Sequence, residues 1–245
     1  MQIHIFENAQ ELGRAAAREC ARILRETIAR QGEARIVLST GASQFEFLNA
    51  FTAEDVEWGK VDMFHLDEYI GLPESHPASF RKYLKERFLA RANVRSATLV
   101  DGEGDVTETL RRLNEAVARA PIDLALIGIG ENGHIAFNDP PADFETEEPF
   151  IVVELDERCK RQQVSEGWFA TVDDVPKCAI TMTPRQILKS RHIVSVVPHA
   201  AKAEAVENTL RKPVDPLVPA TILKTHPDWK LYLDRHSAAG FCAWR

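Results

Sequence analysis

Three short segments carry residue types and spacings that could do chemistry, and each follows a run of apolar residues. The first, Ser39–Gln44, holds Thr40, Gly41 and Ser43 between a strand pattern and a helix pattern. A glycine turn that leads into a helix presents free backbone N–H groups and the positive end of the helix dipole, and both attract anions, above all phosphate. The alternative is a tight turn in which Ser43 only caps the helix, and the segment lacks the lysine of a P-loop.

The second segment is Phe64–Phe80, in which Asp67 and Glu68 stand directly after an apolar run. A carboxylate at the end of a strand can act as a general base. Paired acids are also common as solvated loop residues, and this segment alone leaves both interpretations open. His65 lies inside the strand pattern and is expected to pack, whereas His76 is expected in a loop.

The third segment begins at Gly128 and is the most informative. Gly128, Gly130 and Gly133 have the spacing of a dinucleotide-binding fingerprint, but the residues after them make a poor helix start, so that match is weak. His134 has Asp139 five residues later, a pattern in which a carboxylate can orient an imidazole for acid–base work. The alternative is a structural histidine, and the surrounding glycines and polar residues favour function.

The elements that must position these segments alternate between helix and strand patterns. The predicted helices are Glu11–Gln31, Phe45–Phe51, Pro77–Phe88, Glu108–Ala118, Pro184–Leu188 and Ala200–Leu210. The predicted strands are Ala34–Ser39, Val61–Leu66, Ile122–Gly128, Ile151–Leu155, His192–Val197 and Trp229–Leu233. The last of these is expected to close the sheet, and the two longest loops, residues 139–149 and 160–176, are candidate lids or surface connections.

Strands separated by helices imply parallel βαβ units with right-handed crossovers. We therefore predict an α/β fold: a three-layer α/β/α sandwich around a mostly parallel, doubly wound, Rossmann-like sheet. Residues 1–245 are expected to form one domain. In such sheets ligands bind beyond the carboxyl ends of the strands, where the three segments lie.

Composition and charge argue against several classes of protein. The chain has 245 residues with 30 Lys+Arg and 37 Asp+Glu, a net charge of −7, which makes nucleic acid a poor partner. No stretch approaches the roughly 20 apolar residues of a membrane span, and the N-terminus does not have the pattern of a secretory signal. The cysteines have neither C-x-x-C nor zinc spacing, so we expect reduced thiols, no metal and a cytoplasmic location. The four cysteines are Cys20, Cys159, Cys178 and Cys242.

Together the three segments resemble the glucosamine-6-phosphate deaminase (isomerase) family, within a group that includes 6-phosphogluconolactonase. The resemblance covers nearly the whole chain. Its carriers are Leu66–Leu72, His76–Phe80, Gly133–Pro140, Val175–Met182, Lys202–Val206 and Pro219–His226. Lactonases of the group carry Asp-Glu-Arg after the second strand and lack the Ala-Phe-Asn-acid-Pro ending of the third segment, so this sequence is similar to the deaminase branch. That family converts an amino-sugar phosphate to fructose 6-phosphate and ammonia.

The resemblance implies a role for each matching position and no metal or organic cofactor. His134 would move a proton to or from the ring oxygen as the sugar opens, with Asp139 and Asn132 beside it. Asp67 would be the base that removes the proton from C2. The phosphate would rest on the glycine turn, with a lysine as counter-charge. The implied catalytic residues are Asp67, Asn132, His134 and Asp139, and the implied phosphate-binding residues are Thr40, Gly41, Ala42, Ser43 and Lys202.

Three positions depart from the family pattern. Asp139 stands where the family usually has a glutamate, which is one methylene longer. Ala42 stands where members often have a second glycine. The phosphate-binding arginine of the family precedes an aromatic pair, and here Gly167 lies near that position. The candidate replacements are Arg158, Lys160 and Arg161.

Other functions stay open at this point. A lactonase would use a histidine-activated water, a related deaminase would act on another amino sugar such as galactosamine 6-phosphate, and a sensor would bind a sugar phosphate without turnover. The retained Asp67 and His134, and the lack of an added DNA-binding segment, argue against the sensor. Regulated hexameric members have longer C-terminal tails, so we expect an unregulated monomer or small homo-oligomer.

Overall fold

Apolar runs build the central sheet, because strands covered on both faces need apolar side chains throughout. The computed structural model describes residues 1–242 and forms a seven-stranded parallel sheet and a smaller three-stranded antiparallel sheet. The parallel sheet contains β1 (Gln2–Phe6), β2 (Ala34–Leu38), β3 (Val61–His65), β5 (Ser96–Thr98), β6 (Leu124–Leu126), β9 (His192–Val197) and β10 (Trp229–Asp234). The antiparallel sheet contains β4 (Asp67–Tyr69), β7 (Phe150–Glu154) and β8 (Cys178–Met182).

Helices cover the parallel sheet and complete the predicted α/β/α sandwich. They are α1 (Ala9–Gln31), α2 (Phe45–Phe51), α3 (Phe80–Leu84), α4 (Val106–Ala118), α5 (Glu157–Ser165), α6 (Pro184–Leu188), α7 (Ala203–Arg211) and α8 (Ala239–Cys242). One apolar core packs α1, α2 and α3 on the sheet, and a second packs α4, α6 and α7. Within residues 1–242, none of the helices combines the length and the apolar character that a bilayer-spanning segment requires.

Strand order explains where a ligand can enter. The parallel sheet runs β1-β10-β9-β6-β2-β3-β5. From β2 the chain moves outward to β3 and β5, then crosses back to β6 on the other side of β2 and continues outward to β9 and β10. The segments that leave β2 and β6 therefore diverge, and they open a crevice at the switch point of the sheet. These segments are two of the three that the sequence singles out.

The edges of the sheets differ from the prediction. Trp229–Leu233 does not close the parallel sheet, because β1 adds one more strand outside β10. The predicted strand Ile151–Leu155 forms, as β7, but it belongs to the antiparallel sheet with β8 and β4. The apolar pattern of β7 predicts a strand but does not specify the sheet to which it belongs. The short and partially exposed β1 was not predicted because it carries little of the apolar pattern on which strand prediction depends.

Two predicted helix and loop boundaries are also wrong. The helix predicted over Pro77–Phe88 begins only at Phe80, because Ser79 is its N-cap and accepts a hydrogen bond from the backbone N–H of Lys82. It continues past α3 as a π-helical turn at Lys85–Leu89. Residues 160–176 are not one long loop, because α5 occupies the first of them and is capped by Asp156. This correction matters, since α5 faces the crevice.

Candidate active site

An open cleft lies at the carboxyl edge of the parallel sheet, in the crevice between the segments after β2 and β6. It collects residues from six separate parts of the chain. The residues that line it include the alanine Ala42 and the polar or glycine residues Ser39, Thr40, Gly41, Ser43, Asp67, Gly128, Gly130, His134, Gln162, Gln163, Glu166 and Lys202. All five residues predicted to bind phosphate are among them, as are Asp67 and His134.

The turn after β2 is shaped to receive an anion. Gly41 has φ +109°, a conformation that L side chains rarely adopt, and a short 3₁₀ turn begins directly after it at Ala42. The first N–H groups of a helical turn have no acceptor within the helix, so those of Ala42 and Ser43 can donate to a ligand. The Tyr83 hydroxyl donates to the Gly41 carbonyl at 2.8 Å and holds the turn in place.

Lys202 supplies positive charge on the opposite wall. It follows β9 in a 3₁₀ turn at Ala200–Lys202, and its residue surface is only 6% exposed. The structure records no carboxylate within ion-pair distance of its ammonium among residues 1–242. Burial lowers the pKa of Lys202, while the more distant Glu166 and Glu131 act in the opposite direction. A buried ammonium without a close counter-ion is suited to a bound anion.

Asp67 lies at the start of β4, where the chain turns from the parallel sheet into the antiparallel one. It is 5% exposed and faces the cleft. Burial, together with the neighbouring charge of Glu68, raises the pKa of Asp67 well above its usual range. A carboxylate whose charge is poorly solvated is a stronger base than a free one, which suits proton abstraction from carbon.

Glu68 points away from the cleft, because successive side chains of a strand alternate between its two faces. One carboxylate oxygen accepts from the Ser79 hydroxyl at 2.9 Å and from the backbone N–H of Arg81 at 2.8 Å. The Arg81 guanidinium lies 3.3 Å from the same oxygen and continues to Asp101 and Glu103. The two adjacent acids therefore differ in role: Asp67 is available to a ligand, and Glu68 fixes β4 to α3.

His134 faces the cleft, and its two predicted partners lie behind it. Asp139 Oδ1 lies 3.1 Å from His134 Nδ1, although the ring N–H is not aligned with it as in a linear hydrogen bond. Asn132 bridges the two: its Oδ1 accepts from the His134 backbone N–H, and its Nδ2 donates to Asp139, both at 3.0 Å. Burial alone raises the pKa of Asp139, but the contacts with His134 and Asn132 outweigh burial and lower it.

Gly130 gives the His134 ring its space. A Cβ at this position would overlap the imidazole, whereas a Cβ at Gly128 would meet Gln44 Nε2 at an ordinary 3.6 Å. No helix follows these glycines, in line with the weak match to a nucleotide fingerprint. The close approach that the glycines indicated is thus an approach of backbone to a histidine side chain.

Cys159, which the sequence did not single out, lies beside this group. Potential metal-ligand atoms of His134, Asp139 and Cys159 all lie within 4.8 Å of one another. Burial, followed by the nearby charge of Asp139, raises the pKa of the Cys159 thiol well above its usual range, which favours the protonated form. Cys159 belongs to α5, so no local spacing could reveal the cluster, and the absence of a metal remains a prediction.

None of the candidate replacements for the family's arginine lines the cleft within residues 1–242. Arg158 points to Glu204 at 3.5 Å, and Lys160 to Glu157 at 3.1 Å. Arg161 is exposed on the same helix. The side chains of α5 that do line the cleft are Gln162 and Gln163, joined by Glu166, the C-cap residue of this helix. No local pattern marks these three residues, because glutamine and glutamate on an amphipathic helix are ordinarily solvated.

Comparison with known proteins gives a consistent result. Residues 7–231 match the profile of the family described as glucosamine-6-phosphate isomerases/6-phosphogluconolactonase. A glucosamine-6-phosphate deaminase of Streptococcus pneumoniae serotype 4 is 33% identical over 235 residues, which are 96% of this chain and 97% of the relative. A protein of the same name from Lactobacillus delbrueckii subsp. bulgaricus is 32% identical over 240 residues, 98% and 99% of the two chains.

Solved structures agree on the architecture. A monomeric glucosamine-6-phosphate deaminase superposes with a TM-score of 0.88 at 29% identity, covering 98% of this chain and all of that one. The 6-phosphogluconolactonase from Trypanosoma brucei superposes with a TM-score of 0.80 at 16% identity, covering 97% of each chain. At that lower identity the likeness concerns the fold alone.

Proposed function

The chain belongs to the glucosamine-6-phosphate isomerase/6-phosphogluconolactonase family, and from this premise we propose that it converts glucosamine 6-phosphate to fructose 6-phosphate and ammonia. The observation that carries the proposal is the convergence of Asp67, His134, the Gly41 turn and Lys202 on one cleft. The relatives named glucosamine-6-phosphate deaminase, which match over nearly their whole length, support the same reaction. In this reaction the enzyme isomerises and deaminates the sugar, and the reaction belongs to amino-sugar catabolism.

Ring opening is the first step, and we assign it to His134. The imidazole can accept or return a proton at the ring oxygen, because His134 lines the cleft and its Nδ1 lies against Asp139, which leaves Nε2 for the substrate. Asn132 and Asp139 act behind the ring: they hold its orientation, and the carboxylate stabilises the imidazolium that forms transiently. Neither lines the cleft, so both are positioning residues in this mechanism.

Asp67 acts after the ring has opened. Its carboxylate removes the proton from C2, which is acidified by the adjacent C1 carbonyl, and the proton returns to C1. The resulting ketimine at C2 adds water, and the carbinolamine loses ammonia to give the ketone. Burial suits Asp67 to this step, since a poorly solvated carboxylate gains most by accepting a proton.

The phosphate would be held by the turn after β2 and by Lys202. The turn offers backbone N–H groups and the Ser43 hydroxyl, and Lys202 offers an ammonium that no carboxylate of the described residues pairs. As part of the same proposal, the reaction uses no metal or organic cofactor and the chain acts as one domain. We also propose a cytoplasmic monomer or small homo-oligomer; the deaminase that superposes at a TM-score of 0.88 is described as monomeric.

Ammonia release from glucosamine 6-phosphate tests the proposal, with Asp67→Asn and His134→Gln measured beside the wild type. We expect turnover in the wild type and a loss of at least about 100-fold in each variant. Tight binding of the sugar phosphate without turnover would instead indicate a sensor. Hydrolysis of 6-phosphogluconolactone in the absence of ammonia release would assign the cleft to a lactonase.

A further inference from the structure

The cleft wall formed by α5 and its C-cap residue Glu166, called here the α5 wall, contains polar groups that the proposed mechanism does not use. Gln162, Gln163 and Glu166 line the same cleft as the Gly41 turn and Lys202. This wall is where the family's arginine is missing, so its chemistry must differ from that of an arginine. The three side chains differ from one another in how far their hydrogen-bonding capacity is already satisfied.

Gln162 and Glu166 are held by neighbouring groups. The Gln162 carbonyl oxygen accepts from the Glu131 backbone N–H at 3.1 Å, and its amide nitrogen donates to Glu166 Oε1 at 2.7 Å. The other oxygen of Glu166 accepts from the Trp168 indole N–H at 3.1 Å. Both carboxylate oxygens are thus fixed, and the negative charge is held at a defined place in the cleft.

That charge lies on the side of the cleft near the turn after β2. The Trp168 indole N–H donates to Glu166, and Trp168 lines a small pocket together with Gly41 and Tyr83. The Tyr83 hydroxyl in turn donates to the Gly41 carbonyl. The charge of Glu166 is also near enough to act on the Lys202 ammonium. A phosphate dianion bound at the turn would therefore be attracted by Lys202 and repelled by Glu166.

Gln163 contrasts with its neighbours. It is only 7% exposed and lines the cleft, yet among residues 1–242 no hydrogen bond is recorded for its side-chain amide. The amide atoms are not among the fully buried polar atoms without a partner, so they reach the open space of the cleft and are placed to pair with a ligand there. Its N–H₂ group can donate to a phosphate or hydroxyl oxygen, and its carbonyl can accept from a hydroxyl.

We propose that α5 sets the affinity of the cleft for a phosphorylated sugar: Gln163 is a direct ligand of the substrate, and Glu166 is a fixed negative charge that weakens phosphate binding. This inference rests on the proposed function. In place of an arginine that attracts the phosphate, α5 offers one neutral hydrogen-bonding group and one repulsive charge. Lys202 and the Gly41 turn then carry the attraction.

Calorimetric titration tests the inference without turnover, in a His134→Gln background. We expect Glu166→Gln to lower the Kd for glucosamine 6-phosphate about tenfold. Removing one negative charge several ångströms from a bound dianion is worth about that factor. Gln163→Ala should weaken binding about tenfold through the lost hydrogen bonds. The matched control is Glu157→Gln, which removes the same charge from an exposed position of α5, paired with Lys160, and should change Kd less than twofold.

Unphosphorylated glucosamine and inorganic phosphate separate this inference from the proposed function. Glu166→Gln should lower the Kd for inorganic phosphate as well and leave the Kd for glucosamine unchanged. An unchanged or weaker phosphate affinity in Glu166→Gln would overturn the role of Glu166, and an unchanged Kd in Gln163→Ala would overturn that of Gln163. Absence of ammonia release by the wild type, with phosphate still tightened by Glu166→Gln, would refute the deaminase assignment and keep the role of Glu166.

Discussion

The imidazole of His134 occupies the space in which a side chain at Gly130 would lie. The backbone N–H of Gly130 also donates to the His134 carbonyl at 2.9 Å, so the two residues close one tight loop after β6. The ring can face the cleft only because residue 130 has no Cβ. This relationship gives the glycine-rich segment a specific purpose, namely to seat a histidine against the backbone.

Gly130→Ala should therefore abolish activity while the chain still folds. The added methyl group must displace the ring from the cleft, and a displaced general acid–base costs at least about 100-fold in kcat. The control is Gly59→Ala, outside the cleft, where the methyl group would have no neighbour within 4 Å and activity should change less than about threefold. Steady-state ammonia release and circular dichroism check both variants. Equal activity in the two variants would contradict the seating role.

Asp67→Asn should make the protein inactive and, at neutral pH, more stable. Burial and Glu68 raise the pKa of Asp67 in the folded state, so the folded protein holds this proton more tightly than the unfolded chain. The stability that the folded protein gains by holding this proton is present in full below the usual carboxyl pKa of about 4, and it is lost as the pH rises towards the raised pKa of the folded state. Asparagine cannot ionise, so the Asp67→Asn variant does not lose this stability at high pH. Urea denaturation should thus give a larger free energy of unfolding for the variant than for the wild type at pH 7.5, and equal values for the two at pH 4.

The control for this prediction has the opposite sign. Hydrogen bonds from Arg95 lower the pKa of Asp62 despite its partial burial. The charged form is thereby favoured in the folded state, and its contribution to stability is present above pH 4 and lost as pH falls below it. Asp62→Asn should then be less stable than the wild type at pH 7.5. A loss of stability at pH 7.5 in both variants would show that Asp67 bears no cost of burial.

Glu68→Gln should destabilise the fold and slow the reaction, although Glu68 does not face the cleft. Every group around its carboxylate is a donor: the Ser79 hydroxyl, the backbone N–H groups of residues 69, 80 and 81, and Arg81 Nε. An amide can accept at only one of its two ends, so donors are left without a partner. We expect a loss of about 2–4 kcal/mol in the free energy of unfolding.

An exposed ion pair between a carboxylate and a guanidinium provides the comparison. Glu33 contacts Arg95 at the surface with about half of its side chain exposed, so Glu33→Gln should cost less than about 1 kcal/mol. Urea titration measures both variants, and kcat for Glu68→Gln reports how far loosening β4 disturbs the adjacent Asp67. Similar losses in the two variants would mean that the buried network does not hold β4 to α3.

Local pattern was sufficient for the centre of the fold and for the residues at its carboxyl edge. The buried runs that became β2, β3, β6 and β9 are apolar because both faces are covered, and polar residues follow them where the sheet ends. The two adjacent acids after β3 could have been separated as well, because alternation along a strand sends them to opposite faces. What stayed hidden depends on contacts between distant segments.

The α5 wall and Cys159 illustrate that limit. Residues 157–165 carry many charged and polar side chains, and their composition resembles that of a solvated surface helix. Only packing of α5 across the mouth of the cleft turns Gln163 and Glu166 into wall residues and brings Cys159 to Asp139. The same packing excludes the three basic candidates from the cleft, a result that depends on which face of α5 turns inward.

Asp139→Glu tests how this chain accommodates a shorter carboxylate than its family usually has. Asp139 is held by Asn132 at 3.0 Å and by the Asp156 backbone N–H at 3.2 Å, with the Cys159 thiol beside it. A longer side chain in this buried place must push against the thiol or shift His134. We expect the single variant to lose about tenfold in kcat and about 1–3 kcal/mol in stability.

Removing the thiol should restore the space. In the double variant Asp139→Glu with Cys159→Ala, the extra methylene of the glutamate can occupy the volume that sulfur leaves, so most of the activity and stability should return. The two changes should thus be strongly non-additive in kcat and in the free energy of unfolding. Cys20→Ala, at a fully buried cysteine in α1, is the matched control, and its combination with Asp139→Glu should be additive. Additive effects in both pairs would show that Cys159 does not fill the gap left by the shorter acid, and that Asp139 meets His134 without its help.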